Sequence, residues 1–222
     1  MEIIKEFIGG DRFQVPCVTV KPLNPRGAAV VVHGYGGTKE GTLGLAWRIA
    51  EKGFATGSID LRGHGQHSSD FGSDCLSDVE SAISYFKDYG DVTAIGHSLG
   101  GRLALESSAD YVIGISPALG RNFSNITKNN VKTSRDYLVH KSANTNLFDI
   151  LSSDNHFSGF DPDKALLIYG TRDLPEIISV CEGLKSKNLD VVQIDEALHS
   201  DIFLLEPTFK AITEKLHEWY HK

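Results

Sequence analysis

The most informative segment of this sequence is Val92-Thr93-Ala94-Ile95-Gly96-His97-Ser98-Leu99-Gly100-Gly101. Its first four residues are typical of a buried strand, and the Leu-Ala-Leu-Glu segment that follows is compatible with a helix. A strand that turns at once into a helix holds Ser98 in a cramped backbone conformation, which requires small residues such as Gly96 and Gly100 two positions to either side. The pattern predicts that Ser98 is presented as a nucleophile, although an ordinary turn or a phosphate-binding loop could contain the same G-x-S-x-G letters.

Strand and helix segments alternate on both sides of this turn. Apolar or β-branched runs predict strands at residues 28–32, 55–59, 92–95, 111–115, 165–169 and 190–194. Amphipathic segments bounded by glycine or proline predict helices at residues 42–52, 77–89, 175–187 and 207–219. The run 28–32 is too uniformly apolar for a strand with one exposed face, so we expect helices on both faces of a mostly parallel, doubly wound sheet. Ligands of such sheets bind at the carboxyl ends of the strands.

Two segments depart from this alternation. The N-terminal residues predict an antiparallel hairpin with strands at 3–8 and 13–20 and a turn at Gly9-Gly10-Asp11. Residues 118–164 are rich in Asn, Ser and Lys yet contain several aromatic residues, so we expect one or two short helices that form a lid, with a disordered excursion as the alternative. The length of 222 residues favours one domain, residues 1–222, with 118–164 as a small insertion.

Composition excludes several classes of partner. The chain has 22 Lys and Arg against 29 Asp and Glu, a net charge of −7, and no basic tract, which argues against nucleic acid and anionic membranes as general partners. No apolar run approaches the ~20 residues of a membrane span, and the N-terminal residues lack the pattern of a secretory signal, so we expect a cytoplasmic protein. Cys17, Cys75 and Cys181 lie far apart without a C-x-x-C spacing, which predicts reduced structural thiols. The oligomeric state stays open.

Three glycine-rich turns, in order along the chain, carry a resemblance to a known superfamily. His33-Gly34-Tyr35-Gly36-Gly37 is similar to the oxyanion-hole turn of α/β-hydrolases, residues 60–65 to a structural turn of theirs, and residues 96–101 to their nucleophile elbow. The chain resembles this superfamily over nearly its whole length, most closely the small esterases, acylglycerol lipases and dienelactone hydrolases. The resemblance implies an α/β-hydrolase fold, a mostly parallel sheet with an antiparallel N-terminal hairpin and a small lid insertion.

The resemblance also implies partners for Ser98, because the superfamily places an acid after a late strand and a histidine after the last one. Asp173 and His199 stand at those positions. Histidine, with an ordinary pKa of ~6.5, can take the serine proton and return it to a leaving group, so His199 is interpreted as the general acid and base. Asp173 would hold its imidazole in the right tautomer, with Asp195 and Asp201 as competing carboxylates.

Backbone N–H groups are expected to stabilise the oxyanion, since they are fixed before the reaction begins. Leu99 is one candidate by its place after the nucleophile, and the resemblance suggests Tyr35 as the other. Asp60 and Arg62 are interpreted as residues that fix the turn after their strand. The sequence thus predicts a serine hydrolase that cleaves a small to medium carboxylic ester through an acyl-enzyme without a cofactor or metal ion. A thioesterase, an amidase or an acyltransferase could use the same residues.

Two hypotheses of other classes stay open. Residues 217–221 spell H-E-x-x-H, which on a helix can present two imidazoles to a zinc ion, but a catalytic zinc needs a third ligand and an enclosed site. A non-catalytic ligand receptor on a hydrolase fold is the other hypothesis, because a fold does not settle a function.

Overall fold

A computed structural model describes residues 1–9, 14–153, 160–187 and 189–221. The described strands form one eight-stranded sheet in the order β1-β2-β4-β3-β5-β6-β7-β8. Strands β1 and β2 run antiparallel to their neighbours, and all other neighbours are parallel. The strands are β1 (Glu2–Ile8), β2 (Val15–Lys21), β3 (Ala28–Val32), β4 (Ala55–Ile59), β5 (Val92–His97), β6 (Tyr111–Ile115), β7 (Ala165–Arg172) and β8 (Val191–Leu198).

Helices cover both faces of this sheet. They are α1 (Lys39–Ala50), α2 (Cys75–Phe86), α3 (Leu99–Glu106), α4 (Asn125–Ser134), α5 (Leu147–Ser153), α6 (Pro175–Lys185) and α7 (Glu206–Tyr220). Helices α1 and α7 share one apolar cluster with the sheet, whereas α2 and α3 belong to the cluster on the other face. Every residue of β3 is buried, as the uniformly apolar run predicted, because side chains on both of its faces are covered.

The predicted α/β fold is therefore confirmed, with differences at the ends of elements. Helix α1 begins at Lys39, three residues before the predicted start, because the Asp60 carboxylate accepts a hydrogen bond from the Lys39 N–H at 2.8 Å and satisfies the open end of the helix. Strands β7 and β8 continue beyond the predicted ends at residues 169 and 194, and their register shifts between Gly170 and Arg172. The N-terminal strands pair antiparallel as predicted, but residues 10–13 of the predicted turn and second strand lie outside the described residues.

The insertion, residues 118–164, connects β6 to β7 and carries helices α4 and α5. Ser124 caps α4, since its side-chain oxygen accepts a hydrogen bond from the Thr127 N–H at 3.2 Å. Residues 154–159 of the insertion, including His156 and Phe157, lie outside the described residues.

Two long-range contacts attach the insertion to the sheet domain. The Tyr35 hydroxyl, in the loop after β3, donates to Asp136 at 2.8 Å. The buried Arg102 guanidinium of α3 donates to the Leu151 carbonyl of α5 at 3.0 Å. The insertion therefore lies over the carboxyl edge of the sheet, close to the turn that contains Ser98.

Candidate active site

Ser98 occupies the turn between β5 and α3 in a strained conformation, with φ 55° and ψ −114°. The Ser98 N–H donates to the Ile115 carbonyl at 2.9 Å, which ties the turn to β6. A Cβ on Gly96 would overlap the Gly100 carbonyl, and one on Gly100 would overlap the carbonyls of Val32 and His33. The strand can therefore meet the helix this closely only with glycine at both positions, as the sequence predicted.

The sheet brings Ser98, His199 and Asp173 into one hydrogen-bonded row. His199 follows β8, and its Nε2 lies 3.0 Å from the Ser98 Oγ. Its Nδ1 lies 2.8 Å from Oδ1 of Asp173, which follows β7. These residues are up to 101 positions apart in the chain, and they meet because β5, β7 and β8 end at the same edge of the sheet. A hydroxyl, an imidazole and a carboxylate in this order can activate the oxygen for attack.

The Asp173 carboxylate is buried and ionised. Burial opposes its charge, but hydrogen bonds from His199, the Ser116 hydroxyl and the Leu174 N–H outweigh this effect, so the pKa of the carboxyl is lowered. Ser116 was not predicted as a site residue; in the sequence it only follows the predicted strand 111–115. It is fully buried with a positive φ of 46°, and its position directly after β6, at the same edge of the sheet, was the available signal.

His97 is a second side chain that sequence reasoning missed. Its Nε2 lies 2.7 Å from the His199 carbonyl, so this nitrogen carries the hydrogen and donates it. Burial, with a smaller contribution from His199, lowers the pKa of His97 to about 3, and the ring packs against His199 and Phe203. A neutral His97 therefore holds the loop that carries His199 without placing a second positive charge beside it.

The competing carboxylates have other partners. The Asp195 side chain accepts from the Thr171 hydroxyl at 3.3 Å, and Asp201 accepts from the Leu198 N–H at 2.9 Å. Asp60 accepts from the N–H groups of Lys39 and of Gln66.

Arg62 pairs with the buried Asp78 at 2.9 Å. This contact, like those of Asp60, fixes the turn after β4.

The two backbone groups expected to form an oxyanion hole flank the nucleophile. Tyr35 and Leu99 both line the cavity that contains Ser98, and no protein acceptor among the described residues bonds to either N–H. The Tyr35 side chain has other contacts, because its ring packs edge-on against Phe71 and its hydroxyl donates to Asp136. Two free N–H donors beside the serine could bind an oxygen that develops negative charge.

A cavity of about 300 Å³ opens over Ser98 and His199. Its wall is mainly apolar, and the insertion contributes Val131, Leu147 and Leu151 to it. Arg135, the residue after α4, lies at the exposed end of this wall. A volume of this size suits a small organic molecule.

The C-terminal H-E-x-x-H segment lies at the end of α7, and none of its residues lines this cavity. The rings of His217 and His221 are 4.0 Å apart, but the Arg26 guanidinium lies 2.9 Å from the His221 Nε2 and occupies the nitrogen that a metal would need. Glu218 pairs with Lys215 at 2.9 Å. Within the described ranges no group of three or more His, Cys, Asp or Glu side chains could hold a metal ion.

The three cysteines are buried and unpaired, and burial raises the pKa of each thiol to about 12. They are therefore unreactive thiols, in agreement with the structural interpretation. No helix in the described part of the chain has the length and apolar character needed to cross a membrane.

Solved structures of similar fold include several esterases. Est1E from Butyrivibrio proteoclasticus shares 19% identity at a TM-score of 0.70, with 98% of this chain and 99% of that chain covered. An esterase from Pyrobaculum calidifontis shares 19% identity at a TM-score of 0.67, with 97% and 84% covered. The Pyrococcus furiosus esterase Pf2001 shares 18% identity at a TM-score of 0.69, with 99% and 93% covered. These similarities show a common fold.

A comparison of the sequence with curated proteins finds no match. The family model described as the alpha/beta hydrolase family matches residues 29–174, which is more than half of the chain and includes the turns of Tyr35 and Ser98 and the end of β7. This protein belongs to the alpha/beta hydrolase family.

Proposed function

We propose that this protein is a serine hydrolase that cleaves small to medium carboxylic esters through an acyl-enzyme. One observation carries the proposal: a continuous hydrogen-bonded path joins the Ser98 hydroxyl to the buried Asp173 carboxylate through His199, beside a cavity of about 300 Å³. The positive φ of Ser98 is a strained conformation for a residue with a side chain, and a catalytic role explains why it is kept. The esterases of similar fold support the same reaction class.

In the proposed reaction, the Ser98 Oγ attacks the ester carbonyl carbon while its proton moves to the His199 Nε2. The carbonyl π electrons move to oxygen, and the resulting oxyanion accepts hydrogen bonds from the N–H groups of Leu99 and Tyr35. Asp173 stabilises the imidazolium formed at this stage and keeps its own charge.

Collapse of the tetrahedral intermediate breaks the bond to the alcohol oxygen, which takes the proton from His199 and leaves. Water then attacks the acyl-enzyme and gives its proton to His199, and the carboxylic acid departs as the Ser98 hydroxyl is restored. A thioester or an amide in place of the ester would follow the same steps, and so would a second alcohol that replaces water as the acceptor of the acyl group. No cofactor or metal ion takes part in this scheme.

The proposal includes the surroundings of the site. Residues 1–222 act as one domain, with residues 118–164 as a lid that shapes the cavity wall. The protein acts on a small-molecule ester in the cytoplasm.

A panel of p-nitrophenyl esters of increasing acyl length tests this function. The wild-type protein should hydrolyse the short and medium esters, Ser98→Ala should be inactive, and Ser81→Ala on α2, which does not line the cavity, should retain full activity. Activity should also survive EDTA, whereas loss of activity with the chelator would favour a metal site. A fluorophosphonate probe should label the wild type at Ser98. Folded protein that neither turns over esters nor takes the label would instead support a non-catalytic receptor.

A further inference from the structure

Helix α4 of the insertion carries only positive charges, although the chain as a whole carries a net charge of −7. Helix α4 and the residue after it contain Lys128, Lys132 and Arg135 and no acidic residue. A local excess of one sign next to a cleft attracts ligands of the opposite sign. Of these three residues, Arg135 lines the cavity that contains Ser98.

The position of Arg135 is fixed by the loop after β3. Its Cβ and Cδ lie against Gly36, where an added Cβ would come within 3.0 and 3.1 Å of them. Gly36 also has a positive φ of 72° and donates its N–H to His64 at 3.0 Å, a contact that holds the loop at this position. The absence of a side chain at residue 36 thus leaves room for the stem of Arg135 beside the turn that holds Tyr35.

The charge of Arg135 has no carboxylate partner among the described residues. The adjacent Asp136 is occupied, because it accepts from the Tyr35 hydroxyl at 2.8 Å and pairs with Lys141 at 3.0 Å. Apart from Arg135, the described residues around the cavity include no Lys, Arg, Asp or Glu. Burial also lowers the pKa of the lining His33 to about 4, so its ring is neutral at pH 7.

We propose that the substrate carries a carboxylate remote from the scissile ester, and that Arg135 binds this group at the mouth of the cavity. A planar guanidinium with a free edge pairs well with a carboxylate, and a single arginine matches one negative charge better than the double charge of a phosphate monoester. The apolar wall then accommodates the hydrocarbon segment between the carboxylate and the ester. Arg135 is thus a specificity-determining residue, and this inference rests on the proposed ester hydrolysis.

Two esters of equal chain length test the proposal, the mono-p-nitrophenyl ester of adipic acid and p-nitrophenyl hexanoate. The first differs from the second by a carboxylate in place of a terminal methyl group. Wild-type kcat/KM should favour the adipate ester by about tenfold, as expected for one partly exposed charge-assisted hydrogen-bonded pair. Arg135→Gln should remove this preference through a higher KM and change the hexanoate rate by less than about threefold. Arg135→Lys should keep part of the preference, whereas Lys132→Gln, one turn away on α4, is the matched control and should keep all of it.

Three results would overturn the proposal. They are a wild-type preference for the hexanoate ester, an equal loss on both esters in Arg135→Gln, and an equal loss of preference in Lys132→Gln. Cosedimentation with phosphatidylserine vesicles that is lost in both variants, with no preference between the esters, would instead assign the cations to a membrane surface.

A binding measurement separates this proposal from the proposed hydrolysis. Ser98→Ala should be stabilised in a thermal shift assay by monomethyl adipate more than by methyl hexanoate, and the added Arg135→Gln change should remove the difference. If this difference in binding is found but the wild-type protein hydrolyses no ester, the anion site stands and the proposed hydrolysis is rejected. If the wild type hydrolyses esters without any carboxylate preference, the anion site is rejected.

Discussion

Replacement of Asp173 by asparagine tests how this carboxylate assists His199. Oδ1 of Asp173 lies 2.8 Å from His199 Nδ1 and accepts from the Leu174 N–H at 2.7 Å, whereas Oδ2 accepts from the Ser116 hydroxyl. An amide NH₂ at the Oδ1 position would face the Leu174 N–H, which can only donate. We therefore expect the asparagine to keep its oxygen at that position and to turn its NH₂ toward the Ser116 oxygen, which can accept. His199 then keeps the tautomer in which Nε2 accepts the serine proton.

The variant loses the negative charge beside the imidazolium, and this loss sets the size of the effect. Two unit charges ~4 Å apart interact by about 4 kcal/mol at an effective dielectric constant of ~20, so kcat/KM should fall by about 10³. Ser116→Ala removes one hydrogen bond from a carboxylate that stays charged and should cost about tenfold. The double variant leaves the amide without its acceptor at residue 116, so its loss should exceed the product of the two single losses by at least about tenfold.

The assay is p-nitrophenyl ester turnover normalised to folded protein, with Ser98→Ala as the background and Asp173→Ala as the reference for complete loss of the carboxylate. Far-UV circular dichroism and urea unfolding should show that each variant folds. Equal rates for Asp173→Asn and Asp173→Ala would contradict the retained tautomer. A double variant whose loss equals the product of the single losses would show that Ser116 does not orient the amide.

Three further predictions concern stability and the oxyanion loop. His33 and His64 are buried, and burial lowers their pKa values to about 4 and about 3, so the unfolded chain binds protons first as the pH falls through ~6.5. The free energy of unfolding should thus have its full value above that pH and should decrease below it, by about 1.4 kcal/mol per pH unit for each ring, down to about pH 4. Urea unfolding at several pH values measures this slope, and His64→Gln should reduce it by the contribution of one proton. Gly96→Ala should prevent folding or lower Tm by more than about 10 °C, because the added Cβ would overlap the Gly100 carbonyl. A Tm equal to that of the wild type would refute the close approach of strand and helix. Tyr35→Phe should keep kcat within about threefold, since the proposed oxyanion donor is the main-chain N–H, and a hundredfold loss would assign the hydroxyl to the reaction.

The sequence was most informative where a local pattern determines the structure. The residues 92–101 predict their strand, turn and helix because two glycines and a run of β-branched residues act within ten positions of one another. Asp173 and His199 could be named because the resemblance to α/β-hydrolases implies an acid after a late strand and a histidine after the last one, and strand ends converge in a parallel sheet. Their roles in catalysis remain predictions that the mutational experiments address.

Contacts that depend on how distant loops pack were not predictable in the same way. Ser116 bonds to a carboxylate 57 positions away, and Asp136 bonds to a tyrosine 101 positions away. Neither residue has a distinctive local pattern, because a serine after a strand and an aspartate after a helix are common. The start of α1 was predicted three residues too late for a related reason, since the group that completes its first turn is Asp60, in the turn after β4.

The contact between Arg102 and Leu151 has a mechanical consequence. Arg102 is 3% exposed, it also pairs with Glu106 at 2.8 Å, and it belongs to the same helix that follows the nucleophile. A hinge motion of α5 away from the sheet would break the hydrogen bond from Arg102 to the Leu151 carbonyl and expose the buried guanidinium to water. Substrate and products are thus expected to enter and leave through the mouth of the cavity beside Arg135 without movement of α5. Solvent viscosity should then affect turnover only through the diffusional encounter with substrate.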